Sequence, residues 1–257
     1  MHPIPREVRL LVALLATTAV VTVAVEFLNW WLTPDAGYAL FIRTIWALLR
    51  SLGFLALIWH VRRGRAGAAP FAVILCVTTI FALGRLVTPR DGYPQIVGVL
   101  GFLAVVGLCL TVLGLFYRSP AVRAFLVRAR RQPLPAWLVT TRVAAFTYSP
   151  LMLVAAAVSI GQIVGGRLEA IPAVVLWFGA AIALSYATLF ATYFLLRGKR
   201  WARVLIIGVT LLVLAIHLPL CWWLLGLDGL IRDGVPMLAA AALALGGLWR
   251  TRHPAQD

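Results

Sequence analysis

Few residues in this chain could do chemistry, and the most conspicuous are charges inside apolar sequence. Arg43 and Arg50 stand within the run Tyr38 to His60, which is long enough to cross a bilayer. Seven residues apart on a helix, they share one face and lie roughly 10 Å apart along the axis. Trp46, Ala47 and Phe54 lie on or near the same stripe. Arg50 sits far from both ends of the run, so its guanidinium cannot easily snorkel to water. An arginine near the bilayer centre costs about 2.5–3.5 kcal/mol on insertion scales. It also stays protonated. It therefore needs a carboxylate, backbone carbonyls, water or an anionic ligand.

One acid, Glu26, lies inside an apolar run, near the end of Leu10 to Leu32. Arg43 lies at a similar depth in the following run. The loop between them is short, so the two helices are expected to be antiparallel neighbours. Glu26 and Arg43 can then pair, and Asn29, one turn outward, can add a hydrogen bond. The spacing does not say which group answers Arg50. Two readings stay open. The charges form a structural network, or they line a polar cavity open to an anion, a lipid headgroup or a partner helix.

His217 lies in the middle of another apolar run and is followed by Pro219, which would kink that helix and free carbonyls. Tyr148, in Tyr148-Ser149-Pro150, marks a second expected kink. These two residues are candidates for a polar relay, the plainer reading of His217 being an interhelical hydrogen bond. A lone mid-span histidine does not support bis-histidine haem ligation. Cys76, Cys109 and Cys221 are far apart, with no CxxC or Cys/His ligand spacing, so neither a disulfide framework nor a metal site is indicated. The sequence has no HExxH, GxSxG, P-loop, paired acidic motif or Ser/His/Asp set. No cofactor is expected, and an enzyme is the least favoured class.

The elements that must position these residues are membrane spans. Of the 257 residues 63% are hydrophobic, and the mean hydropathy is +0.98, well beyond soluble domains. Eight candidate spans follow: Leu10–Leu32, Tyr38–His60, Ala69–Val87, Gln95–Tyr117, Val143–Val164, Ile171–Leu196, Val204–Leu225 and Val235–Trp249. The eighth is short enough to be re-entrant. The first is read as a retained span, since no small-residue cleavage site follows it.

The net charge of +15 sits mostly in short loops, which argues against nucleic acid as a partner and for a lipid bilayer. One set of flanks holds most of the arginines, including Arg62, Arg63, Arg65, Arg118, Arg123, Arg197, Arg200 and Arg203. The other set holds Arg85, Arg90, Arg167 and Arg232 with most of the loop acids. The positive-inside rule then places both termini in the cytoplasm. Trp30, Trp31, Trp222 and Trp223 fall at the outer interface, and Trp201 and Trp249 at the inner one. After the fourth span, Ser119-Pro120 is a good helix start, and Val122, Phe125, Leu126 and Ala129 make an apolar stripe. Arginines occupy its other side. This predicts a short interfacial helix on the anionic leaflet.

A faint internal repeat divides the chain. Arg63-Gly64 recurs as Arg197-Gly198. Arg90-Asp91-Gly92-Tyr93-Pro94 recurs as Arg232-Asp233-Gly234-Val235-Pro236. Each half holds an even number of spans, so the repeat is parallel, about an axis along the membrane normal. Gln132 to Pro135 is the expected linker between a first half, 1–131, and a second, 136–257. At the repeat offset Arg43 corresponds to Trp177, Arg50 to Leu184 and Glu26 to Ile160, so the charged set belongs to the first half alone.

The stretch Arg197-Gly198-Lys199-Arg200-Trp201-Ala202-Arg203, which opens a span, resembles an RGxRWAR-like cytoplasmic turn of uncharacterised actinobacterial multi-pass membrane proteins. The resemblance covers that motif and the span pattern. It implies a bacterial inner (plasma) membrane protein and no particular activity.

The expected fold class is therefore all-α: a polytopic integral membrane protein with eight transmembrane helices in a 4+4 parallel pseudo-repeat and an interfacial helix between halves. The first functional reading is binding or movement of a small anion or anionic lipid by Arg43, Arg50, Glu26, Asn29 and Trp46. The alternative is a non-catalytic scaffold or accessory subunit that meets a membrane protein partner.

Overall fold

A computed structural model describes residues 5–33, 37–65, 67–87, 94–128 and 135–249. Among them there are helices and turns and no strand. Seven helical stretches are long and apolar enough to cross a membrane, consistent with a polytopic membrane protein. The chain divides into two compact units, Met1–Pro133 and Leu134–Asp257.

The first unit holds α1 (Arg6–Leu32), α2 (Tyr38–Arg62), α3 (Ala68–Leu83, continued by a 3₁₀ turn Gly84–Leu86), α4 (Gln95–Arg118) and α5 (Pro120–Arg128). The four long helices form a ring in which α1 packs on α2, α2 on α3, α3 on α4 and α4 back on α1. Sequence periodicity explains the α1–α2 seam. The buried residues of α1 are Val8, Leu11, Leu15, Thr18, Ala19, Thr22, Glu26 and Asn29. Those of α2 are Leu40, Arg43, Ala47, Arg50, Ser51, Phe54, Leu57 and Val61. Both follow a spacing of three and four, which keeps one stripe facing a neighbour along the whole length. The Ser51 hydroxyl donates to the Ala19 carbonyl at 3.0 Å and fixes the register.

That register separates two kinds of interior. The half of the ring near Arg6 and Arg62 is apolar, built from Leu11, Leu15, Phe54, Leu57, Leu75, Val112 and Phe116 among others. The half near Leu32 and Tyr38 carries Thr22, Glu26, Asn29, Arg43 and, from α3, Arg85. The short helix α5 is capped by the Ser119 hydroxyl, which accepts from the Val122 N–H at 3.3 Å. Val122 and Leu126 are buried and Arg123 is exposed, so the expected amphipathic face is present where it is described. Ala129 and the expected 132–134 linker residues lie outside the described residues.

The second unit holds α6 (Ala136–Phe146), α7 (Tyr148–Val164), α8 (Ile171–Leu196), α9 (Arg200–Gly229) and α10 (Val235–Trp249). The fifth span starts at Ala136, earlier than Val143, because Arg142 does not end it. Arg142 is exposed and lies over the Phe146 ring, 5.6 Å from its centroid. The break between α6 and α7 falls at Thr147, within reach of Pro150, whose ring nitrogen cannot donate back to Phe146.

α9 and α10 follow each other without an intervening loop yet are not one straight helix. Gly226 adopts φ 68° and ψ −164°, a region open only to glycine, and a π-helical turn spans Leu230–Gly234. His217 and the Asp233 carbonyl come within 3.2 Å. Sixteen residues of straight helix would hold them about 24 Å apart. The chain therefore folds back, and α10 is a separate short leg packed mainly on α6. Gly247 makes that packing close, its Cα lying against the Trp137 carbonyl and Thr141. The Thr141 hydroxyl donates to the Ala244 carbonyl at 3.1 Å. The second RDGxP motif occupies the fold-back, whereas residues 90–93 of the first lie outside the described residues.

Candidate functional site

The polar half of the first unit gathers side chains from three helices. α1 contributes Glu26 and Asn29, α2 contributes Arg43, Trp46 and Arg50, and the 3₁₀ turn after α3 contributes Arg85. The five polar ones are buried, with Glu26 and Arg50 each 2% exposed and Arg85 4%. Arg85 Nη2 donates to Glu26 Oε2 in a charge-assisted hydrogen bond. Arg50 Nη2 lies 3.7 Å from Glu26 Oε1, an ion pair without a close hydrogen bond. The Arg50 guanidinium also stands 5.9 Å from the Trp46 ring centroid.

Backbone geometry explains how Arg50 reaches the carboxylate. The Ser51–Ala19 bond sets Glu26 roughly opposite Thr44, about 9 Å along the axis from Arg50. Side chains on a helix lean toward its N-terminus. In an antiparallel pair Arg50 and Glu26 therefore lean toward each other and close the gap.

Glu26 thus takes Arg50 and Arg85, where the sequence suggested Arg43 as its partner. Arg43 is buried on the same face of α2 as Arg50. Arg85, counted from sequence as a flanking charge, is the member of the cluster that sequence reasoning missed. The available signal was its position two residues inside the end of the third run. Asp35 and Asp91 lie outside the described residues.

Buried polar atoms without a hydrogen-bond partner occur in both units, on Asn29 in the first and on Trp177 and Thr188 in the second. The buried threonines of the first unit, Thr18, Thr22, Thr78 and Thr79, each donate to the carbonyl four residues earlier at 2.7 Å. Their hydroxyls are absorbed by their own helices. Asn29 is fully buried, and among the described residues neither its amide nitrogen nor its oxygen has a partner. Leaving such a group unbonded costs about 1–3 kcal/mol. It lies one turn from Glu26 on the same face, at the edge of the arginine cluster.

The second unit keeps its polar residues in a different place. The Tyr148 hydroxyl and the Thr210 hydroxyl are 3.0 Å apart. His217 Nε2 faces the Asp233 carbonyl and lies 3.5 Å from the Cys221 sulfur, and its ring meets Trp177 edge-on at 5.4 Å. Thr210 and His217 are seven residues apart on α9, or about 10 Å. Among the described residues no hydrogen bond joins Tyr148 to His217, so the structure does not assemble them into one relay. No group of three or more metal-ligating side chains occurs among the described residues either.

Fold and interior together define the class: an all-helical polypeptide of membrane-spanning character, with buried charge concentrated in one unit. No family model, curated protein or solved structure matches the chain.

Proposed function

We propose that this chain is a multi-pass plasma-membrane protein that binds a small anion, or the anionic headgroup of a lipid, in the polar half of its first unit. The observation that carries the reading is the Asn29 amide, fully buried, one helical turn from Glu26 and without a hydrogen-bond partner among the described residues. An amide offers two N–H donors and arginine offers a planar fork of donors, a set suited to an oxyanion. Glu26 acts as the resident counter-charge that holds Arg50 and Arg85 in place when the ligand is away. Asn29, Arg43, Arg50 and Trp46 are the ligand-facing residues of this reading.

A specific observation also favours a structural role. Glu26 bridges α2 and the end of α3 from α1, so the same charges clamp three helices. A scaffold or accessory subunit needs no more than that. Native mass spectrometry of protein gently released from its own membrane separates the two. The ligand reading expects a bound small anion or phospholipid in the wild type that is lost in Asn29→Leu. The structural reading expects a bare protein in both.

The topology proposed for this protein keeps both termini cytoplasmic, supported by the arginine-rich loops. The 4+4 parallel repeat is supported by the helix-closing turns. Gly64 and Gly198 both have positive φ. Arg65 N–H donates to the His60 carbonyl, and Lys199 N–H to the Phe194 carbonyl, at 3.0 and 3.1 Å. Both are Schellman closures, and they stand at the same offset as the sequence motif. In each unit, too, four consecutive legs pack in a ring.

A further inference from the structure

A groove runs along α1 and the end of α2 at the apolar, arginine-rich end of the first unit. It has a volume of about 350 Å³ and is lined by Val8, Arg9, Val12, Ala13, Ala16 and Arg62. Arg9, Val12, Ala13 and Ala16 follow each other at i, i+3, i+4 and i+7, so one face of α1 forms its floor. The two alanines make that face a trough. The register set by Ser51 and Ala19 puts Arg62 across from the Val8–Arg9 level. Arg9 and Arg62 therefore start from one backbone level on two helices, and both exposed side chains line the groove.

We infer that this groove binds one anionic phosphodiester lipid of the cytoplasmic leaflet, its phosphate between Arg9 and Arg62 and an acyl chain along Val12, Ala13 and Ala16. The polarity of the site runs in the order of a lipid. Charge lies at the helix ends, and apolar surface extends about 10 Å from Arg9 toward the membrane interior. A free phosphate would have no use for the trough. A soluble protein would not reach it. The arginine pair supplies charge complementarity to an anionic leaflet, and two at one phosphate add geometric selection. Glu7, the nearest described acid in sequence, is two residues from Arg9 and so lies on the far side of the helix. The site is independent of the Asn29 cluster, which lies at the other end of α1.

The test is native mass spectrometry and thermal shift of the full chain in detergent with added dioleoylphosphatidylglycerol or dioleoylphosphatidylcholine. The expected result is one phosphatidylglycerol molecule retained about tenfold more tightly than phosphatidylcholine, equivalent to about 1.4 kcal/mol. The Arg9→Gln/Arg62→Gln double variant should lose that preference while its unliganded melting temperature stays within a degree or two. Ala13→Phe should lose retention of both lipids with the arginines intact. Equal retention of the two lipids by wild type would overturn the assignment. So would an undiminished preference in the arginine variant, or unchanged retention in Ala13→Phe. Asn29→Leu should leave this binding untouched, so a failure here is separable from a failure of the anion site.

Discussion

Replacing Glu26 by glutamine removes a charge without opening a cavity, and the structure allows its effect to be sized. The Arg50–Glu26 separation of 3.7 Å corresponds to a Coulomb attraction of about 4.5 kcal/mol at an effective dielectric constant near 20. Arg85 is hydrogen-bonded to the carboxylate, so its share is larger. Desolvation of the three groups offsets much of this, and the arginines' share of that cost remains when the carboxylate is neutralised. Breaking a buried pair from one side costs about 3–5 kcal/mol. Glu26→Gln should therefore lower stability by that amount, measured by equilibrium unfolding in mixed micelles. Double-mutant cycles with Arg50→Gln and Arg85→Gln should give the larger coupling to Arg85. A loss below about 1 kcal/mol, or a stronger coupling to Arg50, would refute the assignment of Glu26 as the common counter-charge.

Other changes follow from the same packing. Asn29→Leu should raise the stability of the unliganded protein by about 1–3 kcal/mol, because it removes an unbonded buried amide; a fall in stability would mean that the amide makes structural bonds. A methyl added at Gly247 would meet the Trp137 carbonyl at 2.9 Å, whereas at Gly101 it meets the movable Val25 side chain at 3.1 Å and at Gly208 nothing within 4 Å. Unfolding of the three Gly→Ala variants should accordingly rank Gly247 worst, by about 1–3 kcal/mol, and Gly208 near neutral or stabilised. The native cysteines are buried, so a membrane-impermeant maleimide should ignore the wild type and label Gln95→Cys from outside intact cells; labelling only after lysis would reverse the proposed orientation.

The helices were legible in the sequence because apolar spacing and loop charge speak with one voice about spans. The α1–α2 seam follows directly from the three-and-four spacing of its buried residues. What escaped was the role of charges near span ends. Arg85 and Arg142 both read as flanks, yet Arg85 turns inward through the Gly84–Leu86 turn, while Arg142 lies along Phe146 inside a longer helical stretch. A one-dimensional count of charges has no means of telling a guanidinium that points to water from one that points to a carboxylate on another helix. The fold-back at Gly226 was hidden for a related reason. The residue-level signal was a glycine and a charged turn, and only the return of Asp233 to His217 shows how sharply the chain reverses. The candidate cluster was visible in outline through Glu26, Arg43 and Arg50, but the partner set depends on how far each side chain leans along its helix.

The two buried arginines of α2 also bear on how the chain is made. Among the seven spanning stretches, α2 has the lowest hydropathy, 1.7. With about 2.5–3.5 kcal/mol set against it for the centrally placed Arg50, it is the least able to partition from the translocon unaided. Its counter-charge is on α1, which the ribosome delivers first, and its hydroxyl anchor, Ser51, needs the Ala19 carbonyl of the same helix. The nascent α1 is thus the docking partner that α2 needs on arrival, and Arg85 joins the same carboxylate as a second cation only after α3 has been synthesised. The buried charges impose a schedule on biogenesis: helices enter as a hairpin and then a trio, and a chain that releases α1 into lipid too early would strand its second helix.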